Sequence, residues 1–229
     1  EVSGAPWGFS PAMVGLGAEN TYATDNTNLQ LRATISPFEG MKIKGNYTHR
    51  SITGNDSYHV NTYEMANSTS GPGVTFKYRN DPNSIRKTAS FDNYDNLFLT
   101  TEYSKTISDA HNFKLMVGYS QEKSSYSSYY AQRQKLITDD VPSLSLAVGN
   151  SSVGDDITEW ATRSGLYRFN YDYQGKYLVE VVGRYDGTSR FQKDNRFVFM
   201  PSASVGWVIS EESFMSGTEG WLNFLKIRA

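Results

Sequence analysis

The sequence predicts an all-β chain, an antiparallel transmembrane β-barrel segment of about seven to eight strands. Three observations predict it. Apolar and polar side chains alternate along successive stretches, the period of a strand with two unlike faces. Tight turns and long polar connections join these stretches in strict exchange, as in a membrane barrel whose turns are short on one side and long on the other. Tyrosines stand at both ends of the apolar faces, where a phenol ring stays apolar while its hydroxyl reaches water.

The first hairpin is Asn28–Ser36 and Met41–Tyr47, turning at Pro37–Gly40. Leu29, Leu31, Ala33 and Ile35, then Met41, Ile43, Gly45 and Tyr47, form its apolar face; Gln30, Arg32, Thr34, Lys42 and Lys44 form the other. About forty mainly polar residues follow. The second hairpin is Leu97–Tyr103 and Phe113–Tyr119, around a turn near Ser108–His111. Leu97, Leu99, Tyr103, Phe113, Leu115, Val117 and Tyr119 share one face, against Asn96, Thr100, Glu102 and Lys114. Another long polar stretch leads to Tyr167–Tyr173 and Tyr177–Tyr185, turning at Gln174–Lys176. Here Tyr167, Phe169, Tyr171, Tyr173, Tyr177, Val179, Val181 and Tyr185 oppose Arg168, Asn170, Glu180, Arg184 and Asp186, while Leu166, Leu178 and Val182 interrupt the polar side. Tyr177 to Tyr185 spans roughly 26 Å of strand and about 20 Å of height after a barrel tilt. Seven strands and the start of an eighth, within Trp221–Ala229, are expected. Leu31, Leu99, Val117, Phe169, Val179 and Val205 are expected to face lipid, and Arg32, Lys114, Arg168, Glu180 and Arg184 the lumen.

Alternation alone also fits a soluble sandwich, which buries one face of each sheet. The exchange of short and long connections and the two-ended tyrosine pattern favour the barrel. Of 229 residues, 38% are hydrophobic, yet no apolar run approaches the ~18 residues of a membrane helix. In a barrel only every second strand residue meets lipid, so the polar composition excludes membrane helices and nothing more. A net charge of -2 leaves no electrostatic footprint for nucleic acid. The absence of cysteine removes disulfides, thiol catalysis and cysteine metal sites. His49, His59 and His111 belong to no metalloprotease, hydrolase or phosphate-loop motif, so no enzyme, no cofactor and no catalytic residue is expected. His49 and His59 read as polar loop residues. Asp155, Asp156 and Glu159 lack the spacing of a calcium loop and read as a solvated acidic stretch, so no metal site is expected. The chain opens without Met or a signal peptide and stops as an alternating strand begins. Residues 1–229 are expected to be a partial β-barrel domain, an internal piece of a longer polypeptide.

One region is more specific than a pattern. Tyr177-Leu-Val-Glu-Val-Val-Gly-Arg184-Tyr-Asp186-Gly187-Thr188-Ser189-Arg190-Phe191 continues to Phe199-Met-Pro201-Ser-Ala-Ser-Val-Gly206-Trp207. It then runs through Ile209-Ser-Glu211-Glu212-Ser-Phe214-Met215 to Leu225-Lys226-Ile-Arg228-Ala229. This resembles the SusC/RagA family of TonB-linked outer-membrane transporters of the Bacteroidetes, whose pattern reads approximately R-x-D-G-S-S-R-F, F-P-S-x-S-x-G-W-x-I-S-E-E-x-F-M and L-K-L-R-A-S-Y-G. About fifty residues match closely; Thr188 replaces the usual Ser, and Met200 stands where an aromatic is common. The resemblance implies a larger TonB-dependent receptor barrel of about 22 strands, located in the bacterial outer membrane. It implies an N-terminal plug coupled to TonB, a SusD-like lipoprotein over the extracellular mouth, and oligosaccharides or peptides as substrates. The plug and TonB box are absent from this chain, so TonB is an expected partner only through the missing plug.

Within the motif, Asp186 and Gly187 suit a turn or bulge, and Arg190 is expected to pair Asp186 or a neighbouring loop. Arg184, Asp186, Gly187, Ser189, Arg190, Phe191, Pro201, Gly206 and Trp207 are read as structural. Ile209–Phe214 reads as a short helical or capped turn. The long connections Ser51–Asp92 and Lys123–Glu159 are expected to form the extracellular mouth and to contact the lipoprotein, and with it the substrate. Tyr126, Tyr129, Tyr130 and Trp160 are the candidate substrate- or partner-binding residues, since aromatic rings stack on sugars and anchor protein interfaces. Two other readings stay open. One is a small eight-stranded outer-membrane barrel with adhesin-like loops; the other is a soluble β-sandwich that binds glycans.

Overall fold

The computed structural model describes residues 17–66, 76–218 and 220–229. The strands are β1 (Ala18–Ile35), β2 (Met41–Val60), β3 (Tyr63–Ala66), β4 (Phe76–Arg79), β5 (Ser84–Ile107), β6 (His111–Gln134), β7 (Ser151–Tyr173), β8 (Tyr177–Thr188), β9 (Phe197–Val208) and β10 (Lys226–Arg228). Eight of them form one sheet in the order β1-β2-β5-β6-β7-β8-β9-β10, and β3 pairs β4 in a separate antiparallel hairpin. The strands of the large sheet lie side by side in chain order, with the β3–β4 hairpin inserted between the neighbours β2 and β5.

The tight turns fall where turn chemistry placed them. Ser108 and Asp109 have φ of 52° and 51°, and Gln174 and Gly175 have 53° and 72°. Left-handed backbone at both central residues is the geometry of primed turns, whose twist matches that of the flanking strands. The long connections differ from expectation. Most of Ser51–Asp92 and Lys123–Glu159 is strand: β2 continues to Val60, β5 begins at Ser84, β6 continues to Gln134 and β7 begins at Ser151. Residues 67–75 of the first stretch lie outside the described residues. Polar alternation looks like loop to a hydropathy reading, but strand backbone asks only for hydrogen-bonded neighbours, and adjacent long strands supply each other's.

The chain divides into two compact units, residues 1–27, 51–92 and 125–158, and residues 28–50, 93–124 and 159–229. The second unit carries the two-faced sheet. In the β8–β9 register, Tyr177, Val179, Val181, Gly183 and Tyr185 stand opposite Trp207, Val205, Ala203, Pro201 and Phe199. Across β7, Tyr171 and Phe169 stand opposite Val179 and Val181. These residues share one apolar face. Aromatic rows bound it: Tyr173, Tyr177 and Trp207 stack at centroid separations of 6.2 and 6.4 Å, and Tyr185 stacks on Phe197 at 5.2 Å. No protein layer covers the face among the described residues, for Leu31, Val117 and Val205 remain 57%, 46% and 55% exposed. The other face is polar and internally paired: Lys114 bridges Glu102 at 3.1 Å, and Asn170 donates to Glu180 at 2.7 Å.

Pro201 has a defined direction in β9. The Val208 N–H donates to Lys176 on the β8 side, whereas Val205 exchanges two 3.0 Å bonds with Ala229 on the β10 side. Alternate residues thus face alternate neighbours, and Pro201, in step with Val205, turns its donor-less nitrogen away from β8. β10 covers β9 only at Gly206–Val208.

The first unit has a small core of its own. Ile85, Ala147 and Leu136 are buried at 0%, 1% and 8% exposure, with Leu144 packed beside them. The β6–β7 connection is folded onto this core: Leu136 bridges Ala147, and Ile137 and Val148 bond back to Leu146 and Lys135. His59, read from sequence as a polar loop residue, is buried, and its Nε2 lies 3.1 Å from Asp139. Asn83 donates to the same carboxylate at 2.6 Å and accepts from the Leu136 N–H. A buried polar group needs such partners, and the folded connection brings them.

Candidate functional site on the polar face

The polar face of the second unit gathers side chains from six adjacent strands. On β7 and β8, Ser164 stands opposite Asp186 and Thr162 opposite Thr188. On β8 and β9, Asp186 stands opposite Val198 and Arg184 opposite Met200. Alternation therefore puts Arg184, Asp186 and Thr188 on one face with Ser164 and Thr162. Ser120 and Glu122 of β6 complete one wall of a cavity of about 330 Å³, and Phe191, Asn195 and Arg196 complete another.

The motif residues hold this wall in shape. Arg184 Nε donates to Asp186 at 2.8 Å, and its Nη2 reaches Ser164 at 3.5 Å. Arg190 therefore does not pair Asp186; its guanidinium lies 5.1 Å from the centre of the Trp160 ring. The physical reason is local: Arg184 is two residues from Asp186 on the same face of one strand, while Arg190 follows the strand's end. Ser189 fastens the chain to β7, its N–H donating to Ala161 and its hydroxyl accepting from the Ala161 N–H, both at 2.9 Å. Gly187 stands opposite Phe197, whose ring lies where a β-carbon would project, so a side chain there would displace the ring. The Phe191 carbonyl accepts from Arg196 Nε at 3.0 Å. Gly206 pairs Leu178 on one side and Arg228 on the other.

Trp207 and the turn after β9 form a separate clamp. The expected short helical turn is present as two 3-10 segments, Ile209–Glu211 and Ser213–Thr218. Glu212, between them, accepts from Tyr177 Oη at 2.6 Å and from Trp207 Nε1 at 3.1 Å, and pairs Lys176 Nζ at 3.5 Å. The Tyr177 hydroxyl, and after it the Trp207 indole, hold the Glu212 carboxyl below its ordinary value.

The candidate aromatics do not form one cluster. Tyr126, Tyr129 and Tyr130 lie on the β6 stretch of the first unit, and Trp160 lies on β7 in the second. None is in a loop. Alternation puts Tyr126 and Tyr130 on one face of β6 and Tyr129 on the other, and their contacts agree. Arg86 stacks over Tyr130 at 3.8 Å, while Tyr129 meets Phe91 at 6.1 Å. Asp155 and Asp156 are adjacent strand residues and point to opposite faces, and among the described residues no group of three ligating side chains could hold a metal ion.

Sequence reasoning passed over several residues here. Arg50 lies 5.6 Å over the Tyr94 ring, and Asn96 bonds both Tyr94 and Glu122. His49, read from sequence as a polar loop residue, lies on β2 with Nδ1 2.8 Å from Asp95, which also accepts from Tyr47 at 2.7 Å. Strand parity was the available signal for Arg50, Tyr94 and Glu122. It lost force because these positions lie beyond the strand ends expected at Tyr47, Leu97 and Tyr119.

Comparison with known proteins agrees with the architecture. No protein-family model matches the chain. The TonB-dependent receptor P3 of Formosa agariphila is 29% identical over 193 residues, 83% of this chain and 18% of the relative. The TonB-dependent receptor SusC of Bacteroides thetaiotaomicron is 43% identical over 75 residues, 31% of this chain and 7% of the relative. The structure of the RagAB peptide importer in its closed-closed state superposes with a TM-score of 0.75 at 20% identity, over 92% of this chain and 22% of that one. That last likeness concerns the fold. The two-faced antiparallel sheet and these relatives support one class, a barrel segment of a TonB-dependent receptor. Within that class the relatives named and the shared fold support the SusC/RagA type. The chain spans about a fifth of the length of the curated relatives that it matches along most of its length.

Proposed function

We propose that these residues form part of the wall and outer rim of a TonB-dependent importer in the bacterial outer membrane. The whole protein would take up oligosaccharides with a SusD-like lipoprotein, driven by TonB acting through a plug encoded elsewhere in the protein. One observation carries the reading: an apolar face with no protein cover among the described residues, bounded by the Tyr173–Tyr177–Trp207 row and the Tyr185–Phe197 stack. A face of that kind, opposite a face of paired charges, suits lipid on one side and a water-filled lumen on the other. The relatives are named as receptors and an importer, which supports transport over catalysis. Peptide is the second substrate class, favoured by the fold shared with a peptide importer.

In this reading Tyr126, Tyr130 and Trp160 face the lumen, and Tyr129 faces outward to solvent or the lipoprotein. Domain boundaries follow: residues 1–229 are barrel, and the plug lies outside them. The test is uptake by the full-length transporter in cells. Replacing Tyr126, Tyr130 and Trp160 together with Ala should reduce growth on the cognate nutrient while heat-modifiable barrel persists. Unchanged growth and unchanged co-purification of the lipoprotein would remove these residues from the importing machinery.

A further inference from the structure

β7 runs for 23 residues, but β8 stands beside only part of it. Their pairing ends at Thr162, opposite Thr188. In the first unit β7 continues as Ser151–Thr158, with β6 on one side. Among the described residues no strand pairs this stretch on its other side. The Asn150 carbonyl accepts the Gln134 N–H of β6 at 3.0 Å. Alternation then turns the N–H and C=O groups of Ser151, Val153, Asp155 and Ile157 away from β6, toward the unpaired side. Ala161 has the same parity and shows the direction: its N–H and its carbonyl both bond Ser189, on the β8 side.

Unpaired strand edges are commonly blunted with Lys or Pro. This one reads Ser-Ser-Val-Gly-Asp-Asp-Ile-Thr and has neither, nor any Arg. Every residue but Gly154 is exposed, and Val153 and Ile157 stand at 78% and 66%. They flank Asp155 on one face, while Asp156 lies on the other. None of the ion pairs formed among the described residues engages either Asp. The first unit as a whole is acidic, its stretches holding eleven Asp or Glu against six Lys or Arg. Two of those cations are already held, Arg86 over the Tyr130 ring and Arg133 on the Leu144 carbonyl. These acids decide the occupant. A second copy paired antiparallel about this centre would set Asp against Asp, and like charges directly opposite are destabilising. A basic segment gains at the same positions. A strand added to an edge lies within the sheet as one more strand of the wall, which suits a resident partner rather than cargo moving along the polar face.

We infer that Ser151–Thr158 of β7 docks an extended, basic segment of a partner protein as an added antiparallel strand. Register fixes what that segment reads. Opposite Ile157, Asp156, Asp155, Gly154 and Val153 in turn, it runs apolar, basic, basic, any residue, apolar. The test uses the purified full-length protein and fluorescein-labelled nine-residue peptides, read by anisotropy. A peptide with the core Ile-Lys-Lys-Ser-Val should bind at least about tenfold more tightly than one with the core Ile-Glu-Glu-Ser-Val, and more tightly than the reversed core Val-Ser-Lys-Lys-Ile. N-methylation at its second Lys and its Val, whose amides face the edge, should cost at least about tenfold. N-methylation at its first Lys and its Ser, whose amides face away, should change affinity by less than about threefold. These comparisons need no protein variant. Asp155→Lys/Asp156→Lys should transfer the preference to the glutamate peptide. Asp155→Pro removes one edge-facing donor and none of those turned to β6, and it should weaken the lysine peptide more than Asp155→Asn does. Heat-modifiable barrel, measured in each variant, reports whether assembly is intact.

Equal binding of the lysine and glutamate peptides overturns the inference, because the charge match is then absent. Equal losses from the two methylation patterns overturn it as well, because no strand is then added. Tighter binding of the reversed core overturns the antiparallel direction. Accumulation of the labelled lysine peptide in the periplasm of cells carrying the wild-type protein, lost with Asp155→Pro, makes the peptide cargo and overturns the resident partner. Growth on the cognate nutrient tests the importer reading separately, since none of these measurements reads oligosaccharide uptake.

Discussion

β8 and β9 stop after 12 residues each, whereas β5 and β6 run for 24. A tilted strand needs about 9–11 residues to cross a bilayer. The shorter pair therefore has the length of a crossing and little more, and its whole apolar face lies between two aromatic rows. The longer pair has twice that length. Its stretches in the first unit keep the backbone of a strand but lose the lipid-facing composition, and that unit holds a small protein core, at Ile85 of β5 and at Leu136 and Ala147 of the β6–β7 connection. One backbone geometry thus serves two solvents. What changes along a strand is which side chains satisfy its faces.

The sharpest way to break this comparison is to put the same charge on a strand of each unit. Val179→Arg, mid-face on β8, should cost about 2–4 kcal/mol and deplete heat-modifiable barrel from the outer membrane. Val153→Arg, on the first-unit stretch of β7 and 78% exposed, should stay within about 0.5 kcal/mol. Equal losses at both positions would show that the first-unit stretch is also immersed in lipid. A smaller effect is expected in the first unit's core. Ile85→Ala should cost about 2 kcal/mol, at the low end for buried aliphatics because the cluster is small. Hydrogen exchange should then accelerate over residues 135–150 while barrel assembly is unchanged; loss of the barrel itself would show that the two stretches do not fold separately.

Among the aromatics, Tyr130→Ala removes a ring that packs against Arg86 and lies across Gly154, and Tyr129→Ala removes one that meets Phe91 on the other face. Truncated anchors typically cost above about 1 kcal/mol at an interface. Nutrient binding should respond to Tyr130 and lipoprotein binding to Tyr129; a reversed pattern would exchange the two faces. The smallest effect belongs to Glu212. Its pKa is depressed below 4.5, so its contribution to the clamp is fully present above that pH and fades as pH falls through the lowered value. Protection of the Trp207 indole N–H should decline on acidification below pH 4.5, and Glu212→Gln should flatten that decline.

The fold class was legible because Asn28–Ser36 and Met41–Tyr47 alternate cleanly and because Gln174-Gly175 and Pro37–Gly40 are turn-forming. The motif from Arg184 to Trp207 was legible as a unit, although the sequence could not say that Arg184 rather than Arg190 would engage Asp186. That choice depends on where β8 ends. The outer stretches were misassigned because Ser51–Val60 and Lys123–Gln134 are polar on both faces, and hydropathy reads such strands as loops. His59 and Asp139 are 80 residues apart, and nothing local to either announces that a folded connection will bury one against the other.

Pro201 has a further consequence, for the time during which the sheet is being built. Until a neighbour is laid alongside, the free side of β9 is a template on which any passing strand can pair. A proline nitrogen on that side interrupts the row of donors midway between Phe197 and Val205. A stray chain would meet a gap at that level and lose the continuous ladder that makes edge-to-edge aggregation persistent. The family-like Pro therefore acts as a guard on an unfinished margin, and its value is greatest before the protein is complete.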